Sequence, residues 1–547
     1  MLRKYFLFFV ILLFGIIIRL INLDKSAGLW YDEMTIYSIA SQKSIIDIFN
    51  TDSHRFLLFP LYYLIYHLWL FIFGNSDLVI RLMSVFFDIL GIISAFFVGK
   101  EIAKRCNINE YNCGTIYMLL FALNSLLIYY AQEAKFYSLT TFIVNLVLLS
   151  WLKYINERSN KFFILLFLTS LLLILTYTSQ CILVLIIFLA TLLYFFLSKN
   201  HIPKKHLLIF PTVFIPVIIL ISCIPNYFSG NFDAVVIDSS FLFLILQNFF
   251  TPILNSLQNN ITNYHIVLIK NFSNISFWLF VIYPIVYLLF SAIYSVKKHI
   301  ITRYLIGISL SYICLHIIIS QFTNYTPLIR YLIPILPFVL AACSVGICQQ
   351  KRKMFLIIFI IINVFVLISP LSATEINRPD GYKELAEMLK SNNITASADF
   401  IMPIRTNLLD KYYYIEGKRI SLYTLNNPEF QKTYLTDEEI NKIEKADLTS
   451  AYYRYFISNK IPSQMGNAIF NNFIKNNKIV LIKDNTICLY DNNQIKEIAL
   501  SEYYKQVPIQ FLRLSKLNND LISILSQKMR LEKTIKSTSW DIYVFTN

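Results

Sequence analysis

The amino-acid sequence predicts a polytopic α-helical membrane protein with an α/β domain at its C-terminus. Hydrophobic residues make up 56% of the 547 residues and charged residues only 15%, whereas soluble chains are nearer a quarter charged. About eleven separate apolar runs are long enough to cross a bilayer. The runs end near Pro370, and the rest of the chain has ordinary hydropathy.

The predicted membrane spans share a length of about 16 residues or more and carry few charges. They are residues 5–21, 78–98, 113–130, 137–152, 162–178, 180–197, 207–224, 275–296, 304–320, 328–348 and 354–370. A further run at 57–73 begins before Pro60 and contains His67, so its sequence fits either a span or a helix at the membrane surface.

The distribution of basic residues decides how 57–73 is interpreted. If this run does not span, the loops on one side hold about 17 of the 25 Lys and Arg residues before residue 371, with three acids. Basic loops face the cytoplasm. The predicted topology therefore has the N-terminus in the cytoplasm, 57–73 as an interfacial helix in the first outer loop, and the C-terminal domain outside.

Two domains are predicted. Residues 1–370 form a transmembrane catalytic domain with outer loops at 22–77 and 225–274, and 371–547 form an extracytoplasmic α/β domain. The elements predicted in this second domain are a helix over Tyr382–Lys390, a helix opened by a capping box at Thr436–Glu439, and strands at Arg454–Ser458, Ile479–Lys483 and Trp540–Phe545.

Charge and motif content exclude several classes of function. The net charge of +15 comes mainly from residues before 371, so the excess belongs to basic membrane loops, and no nucleic-acid partner is expected. The eight cysteines and seven histidines show no metal-ligand spacing, so no metal or other cofactor is predicted, although a divalent metal stays open. The sequence also lacks GxGxxG, P-loop and DxD patterns, which argues against a nucleotide-bound substrate.

The adjacent acids Asp32 and Glu33 follow the first apolar run. Carboxylates cannot remain in hydrocarbon, so we place them at the water interface, where one could serve as a general base. The alternative is a solvated loop acid. The predicted topology puts several cations on the same face as these acids, which favours a functional site.

Three of these cations come from different spans: Arg81, Lys135 and Arg330. Together they could bind an anion at headgroup depth, although each alone could be a side chain that anchors its helix at the interface. Glu133 lies in a polar stretch between two spans. Asp88 lies within the second span, where it could be a buried partner or a pathway residue, and it is not expected to be catalytic.

Several motifs recur in one order over about residues 28–340. They are Tyr31–Glu33, Pro60–Tyr63 with His67–Trp69, Phe73–Ser76 leading to Arg81, Gln132–Ser138, and Arg330–Tyr331 with Pro334 and Pro337. Because these motifs occur in this order, the chain resembles the GT-C membrane glycosyltransferases. The resemblance is in particular to glycosyltransferase family 39 (the protein O-mannosyltransferases) and to the related aminoarabinose transferase of lipid A.

The resemblance implies an inverting enzyme that uses a polyprenyl-phosphate sugar, in the bacterial plasma membrane. By position, Asp32 takes the role of base, with Glu33 beside it. Glu133 takes the place of the second acidic site. The donor phosphate is bound by three cations, which are Arg81, Lys135 and Arg330. The remaining substrate contacts implied are His54, Tyr62 and Tyr137.

This chain departs from the family pattern at three places. Tyr177–Thr178–Ser179 has serine where the family has histidine, His54 stands well before a single proline, Pro60, and Lys135 replaces an arginine. Lysine keeps the charge but loses the planar fork of arginine.

The expected function is sugar transfer to an acceptor on the extracytoplasmic face, which could be a protein, lipid A, or another glycan or lipid.

One alternative is a polysaccharide ligase or polymerase with a diphosphate-linked donor. It predicts arginines in the loop 225–274, where Lys270 is the one basic residue. The other is a lipid-linked sugar transporter or flippase, which predicts paired charges at mid-membrane and broken helices. At the level of sequence, Asp88 alone fits that pattern.

The predicted topology can be tested with single cysteines in a chain whose native cysteines are replaced. A membrane-impermeant maleimide should label Asn50→Cys from outside and Lys104→Cys from the cytoplasm only, because the basic loops face inward. Labelling of both positions from the same side would show that 57–73 spans.

Overall fold

The fold is taken from a computed structural model. The structure describes residues 2–21, 23, 28–29, 31–51, 53–198, 202–216, 218, 282–322, 329–351, 353–368, 382–402, 409, 411–416, 419–421, 478–484, 522, 525–527, 529–536 and 540–546. The predicted outer loop 225–274, the capping box at Thr436 and the strand at Arg454–Ser458 lie outside these residues.

The described chain up to residue 368 is helical. Its α-helices are α1 Leu2–Leu20, α2 Tyr31–Ala40, α3 Ile45–Thr51, α4 Ser53–Leu58, α5 Pro60–Phe73, α6 Asp77–Cys106, α7 Glu110–Leu123, α8 Ser125–Ala131, α9 Tyr137–Glu157, α10 Asn160–Thr176, α11 Cys181–Leu197, α12 Lys204–Ile209, α13 Tyr283–Lys298, α14 Ile300–Phe322, α15 Leu336–Gln349 and α16 Met354–Ile368. Short 3-10 segments lie at Thr178–Gln180, Phe210–Phe214 and Ile329–Ile335.

Within the described residues, five helical stretches are long and apolar enough to cross a membrane, and a bent pair gives a sixth. The five are Asp77–Cys106, Tyr137–Glu157, Thr178–Leu197, Ile300–Ile319 and Tyr331–Gln349. The predicted total of about eleven spans stays a prediction. Helix α5 has 14 residues, or about 21 Å at 1.5 Å per residue, which is short of a hydrocarbon core of about 30 Å.

The bent pair differs from the single span predicted over 113–130. Helices α7 and α8 meet at an angle of 59°. Asn124 ends α7, and its side-chain oxygen accepts a hydrogen bond from the backbone N–H of Leu127 at 3.1 Å, which caps α8. Asparagine is a strong N-cap residue, so Asn124–Ser125 inside the apolar run was the available signal.

Close backbone contact and buried polar bonds hold α6, α7 and α9 together. A Cβ on Gly99 would lie 2.8 Å from the Cα of Gly114, so α6 and α7 approach at a small-residue contact. The Tyr117 hydroxyl donates to the side-chain oxygen of Asn145 at 2.7 Å, and the Asn145 amide donates to the Gly91 carbonyl at 3.1 Å. These bonds fix α6, whose N-terminal half carries the candidate site.

The C-terminal region contains helix α17 (Tyr382–Ser391) and a five-stranded sheet. The strands are β1 Asp399–Met402, β2 Arg419–Ser421, β3 Lys478–Asp484, β4 Arg530–Lys536 and β5 Trp540–Thr546, in the order β2-β1-β3-β5-β4. Strand β1 is parallel to β2 and β3, and β5 is antiparallel to β3 and β4. The predicted helix at Tyr382 and the strands at Ile479 and Trp540 are therefore confirmed.

Contacts divide the chain into two compact units. The first comprises Met1–Asp24 and Ile39–Ile376, and the second comprises Lys25–Ser38 and Asn377–Asn547. The predicted domain boundary at residue 370 stays a prediction. The segment Lys25–Ser38, part of the predicted first outer loop, nevertheless belongs to the second unit, which the sequence did not indicate.

Candidate functional site

The candidate site of the first unit begins with a buried ion pair that the sequence analysis missed. The Arg19 guanidinium, near the end of α1, donates through Nε to the Asp88 carboxylate on α6, and both side chains are fully buried. Nη1 of Arg19 also donates to the carbonyls of Gly15 and Ala122, at 3.1 and 3.0 Å. Asp88 is therefore a buried partner of Arg19, one of the two roles that the sequence left open. The available signal for Arg19 was a single arginine inside an apolar run.

The side chain of Gln132 caps the end of α1. Its amide nitrogen lies 2.8 Å from the carbonyl oxygen of Ile21, 3.3 Å from that of Ile18 and 3.4 Å from that of Arg19. The last carbonyls of a helix have no partner within the helix. Gln132 satisfies them here and thereby ties the turn between α8 and α9 to α1.

Helix α6 presents one polar face to these elements. Arg81, Ser84 and Asp88 are spaced by three and four residues, so they lie on one side of the helix. Each has a relative exposure of 1% or less. Nη1 of Arg81 donates to the Leu23 carbonyl, just beyond α1, at 3.2 Å, and the Ser84 hydroxyl donates to the Lys135 carbonyl at 3.3 Å.

The turn at residues 132–136 carries the acid and the lysine predicted from the sequence. The backbone N–H of Lys135 donates to the carbonyl of Glu133 at 2.7 Å, so the turn is tight. Glu133 is 1% exposed and Lys135 is half-buried. Because Ser84 holds this turn and Arg81 lies one helical turn before Ser84, the structure brings Arg81, Glu133 and Lys135 into one region.

Aromatic rings surround this polar turn. The Phe136 ring lies 4.3 Å from the rings of Phe59 and Tyr137, 4.8 Å from that of Tyr177 and 6.1 Å from that of Tyr62, measured between centroids. Tyr62 and Tyr137 are 1% and 3% exposed. Both predicted substrate contacts therefore lie beside the turn, in the wall formed by these rings.

The other predicted residues fall elsewhere. Asp32 and Glu33 are the second and third residues of α2 and belong to the second unit, where Glu33 is fully buried. His54 lies in α4, and Arg330 lies in the segment Ile329–Ile335. The structure describes no side chain for Asp32, His54 or Arg330. The described residues contain no group of three or more His, Cys, Asp or Glu arranged to hold a metal ion.

The fold of this chain is similar to that of a solved protein, ArnT. ArnT from Cupriavidus metallidurans in the apo state superposes with a TM-score of 0.55 and 8% identity, covering 98% of this chain and 97% of ArnT. The same protein bound to undecaprenyl phosphate superposes with a TM-score of 0.52 and 9% identity, covering 99% of this chain and 98% of that chain.

A third solved structure is the Archaeoglobus fulgidus oligosaccharyltransferase tethered to an acceptor peptide, with a TM-score of 0.49 and 9% identity over 93% of this chain and 72% of that one. No family model and no curated protein matches the sequence.

The Arg19–Asp88 pair yields a test of stability. Asp88→Asn would leave a buried guanidinium without its counter-ion, and breaking a buried pair from one side typically costs about 3–5 kcal/mol. The double variant Arg19→Leu/Asp88→Leu removes both charges and should recover most of that loss. Thermal unfolding in detergent measures both, with Ser84→Ala as control, since it removes one hydrogen bond from the same helix face. A double variant no more stable than Asp88→Asn would contradict this account.

Proposed function

We propose that this protein is an inverting glycosyltransferase that moves a sugar from a polyprenyl-phosphate donor to an acceptor on the extracytoplasmic face of a bacterial inner membrane. The observation that carries the proposal is that the polar face of α6 with Arg81 and the turn with Glu133 and Lys135 lie in one region, beside the aromatic wall. It occurs in the fold of ArnT, a protein solved with undecaprenyl phosphate bound. A polyprenyl phosphate offers an anion at headgroup depth and an apolar chain, which suits cations next to membrane helices.

In the proposed reaction, a hydroxyl or amine of the acceptor attacks the anomeric carbon of the sugar. Asp32 accepts the proton of the attacking group, and Glu33 supports it. The bond between the anomeric carbon and the phosphate oxygen breaks, and its electron pair leaves with the phosphate. Arg81, Lys135 and Arg330 neutralise the growing charge, and cations preorganised in a site of low dielectric do so at little reorganisation cost.

The substrate-binding roles follow from the surroundings of the phosphate site. Tyr62 and Tyr137 offer ring surfaces and hydroxyls beside Phe136, which suits a sugar with one apolar face and a polar rim. Glu133 and His54 complete the proposed set of substrate contacts. The acceptor can be a protein, lipid A, or another glycan or lipid.

Two features favour a transporter of lipid-linked sugars as the second candidate. A transporter predicts paired charges inside the membrane and broken helices, and the structure contains the Arg19–Asp88 pair and the bend at Asn124. We rank it second because Arg19 and Asp88 are fully buried and Arg19 also binds two carbonyls, so the pair has the character of a fixed structural link. Purified protein in detergent discriminates the two, since a transferase forms product without any membrane to cross.

The first functional prediction concerns Arg81. Arg81→Ala should raise the KM for a polyprenyl-phosphate sugar and lower kcat, because donor binding and leaving-group stabilisation both use its charge. Arg81→Lys should restore activity in part, since it keeps the charge without the fork. Steady-state kinetics of the purified variants measure both constants. Wild-type kinetics in Arg81→Ala would place the phosphate site elsewhere.

The second prediction tests the proposed base. Asp32→Asn keeps shape but removes the proton acceptor, so sugar transfer should fall by about 10²–10⁴-fold while the donor still binds. Glu33→Gln should have the smaller effect, because neighbouring side chains on a helix point in different directions. Transfer and donor binding are measured on the same preparations. If Asp32→Asn transfers sugar at the normal rate and Glu33→Gln is inactive, the base is Glu33. If both variants transfer sugar at the normal rate, the mechanism is overturned.

A further inference from the structure

The segment that carries the proposed base is held by the C-terminal region of the chain. Lys25–Ser38 groups with Asn377–Asn547 by its contacts, although about 340 residues separate the two in sequence. The described part of this segment contains Gly28, Leu29 and the first eight residues of α2. A helix of ten residues is marginal in isolation, so its position depends on what surrounds it.

Gly28 marks the closest approach of the segment to the C-terminal region. Its φ of +78° lies in the left-handed region, which side chains other than glycine rarely adopt. A Cβ at this position would lie 2.7 Å from the Cβ of Lys383 on α17 and 3.0 Å from the Tyr412 hydroxyl oxygen. Both conformation and space therefore require glycine here, so the segment lies against α17 and Tyr412.

Two consecutive residues of the C-terminal region hold the segment on either side of the acids. The Tyr412 hydroxyl accepts a hydrogen bond from the backbone N–H of Leu29 at 3.1 Å, three residues before Asp32. The Lys411 ammonium lies 4.4 Å from the ring centroid of Tyr37, four residues after Glu33. A cation over a ring at this distance is attractive, and Leu29 itself is fully buried.

We infer that Tyr412 and Lys411 are positioning residues that orient the Asp32–Glu33 pair for the transfer reaction. The inference rests on the proposed function, because it takes Asp32 as the base. A general base must lie within hydrogen-bonding reach of the proton it removes, and a misplacement of about 1 Å can lower the rate by about 10²-fold. The C-terminal region thus contributes to turnover through α2.

The inference is tested by Tyr412→Phe with Tyr413→Phe as matched control. Tyr412→Phe keeps the ring but removes the acceptor for Leu29. Tyr413→Phe removes a comparable hydrogen bond, from its hydroxyl to the Ile394 carbonyl at 2.6 Å, which lies within the C-terminal region. Hydrogen exchange of peptides covering residues 28–38 and steady-state kinetics of sugar transfer are measured on the full-length protein.

We expect Tyr412→Phe to speed exchange in residues 28–38 and to lower kcat by about tenfold to 10²-fold, with the donor KM unchanged because Arg81 and Lys135 belong to the other unit. Tyr413→Phe should leave this exchange and kcat near wild type. Lys411→Met should act as Tyr412→Phe does, and Lys411→Arg should restore most of kcat because it keeps the cation over Tyr37.

Unchanged exchange at 28–38 in Tyr412→Phe, or faster exchange with unchanged kcat, would overturn the inference. A loss of kcat in Tyr413→Phe equal to that in Tyr412→Phe would also overturn it, since general weakening of the C-terminal region would then explain both. The proposed function is judged separately by Asp32→Asn. If that variant is inactive while Tyr412→Phe behaves as wild type, the function stands and the positioning role fails.

Discussion

The ion pair between Arg19 and Asp88 is the interaction on which the polar part of the helical unit depends. An isolated charge inside a bundle of apolar helices is strongly unfavourable, whereas a pair with further hydrogen bonds is tolerated. Here one guanidinium binds Asp88 of α6, Gly15 of its own helix and Ala122 at the end of α7. Three helices are thereby joined at one point, next to the bend at Asn124.

The candidate phosphate site follows from this junction. Because α1 ends beside α6, its last carbonyls are available to Gln132, and Leu23 is available to Arg81. These bonds leave the turn after Gln132 beside the polar face of α6, where Ser84 binds the Lys135 carbonyl. The Arg81 guanidinium and the backbone of the turn at Lys135 are therefore held by bonds within the protein. In the proposed reaction, such fixed groups would stabilise a leaving phosphate at little reorganisation cost.

Much of the fold could be predicted from the sequence because its signals are local. Long apolar runs predicted the membrane helices. The helix α17 was predicted to follow Pro379–Asp380, and its buried residues Tyr382, Leu385, Ala386 and Leu389 follow the helical period. β-branched and aromatic runs predicted β3 and β5. Polar residues beside apolar runs likewise singled out Arg81, Glu133 and Lys135, whose roles stay predictions.

The remaining features depend on contacts between distant parts of the chain. Arg19 is a single arginine inside an apolar run, and only its pairing with Asp88, 69 residues away, gives it a role. To predict the cap by Gln132, one would need to know where α1 ends relative to the turn that carries Gln132. The attachment of Leu29 to Tyr412 joins residues 383 apart, and no periodic pattern in one sequence carries that information.

We propose that a polyprenyl phosphate binds through its phosphate at Arg81 and Lys135. Native mass spectrometry of the purified protein with equal amounts of undecaprenyl phosphate and undecaprenol tests it directly, because the two lipids differ only in the phosphate. We expect the wild-type protein to retain undecaprenyl phosphate over undecaprenol, and the preference to be lost when Arg81 and Lys135 are both replaced by Ala. Equal retention of the two lipids by the wild-type protein would contradict it.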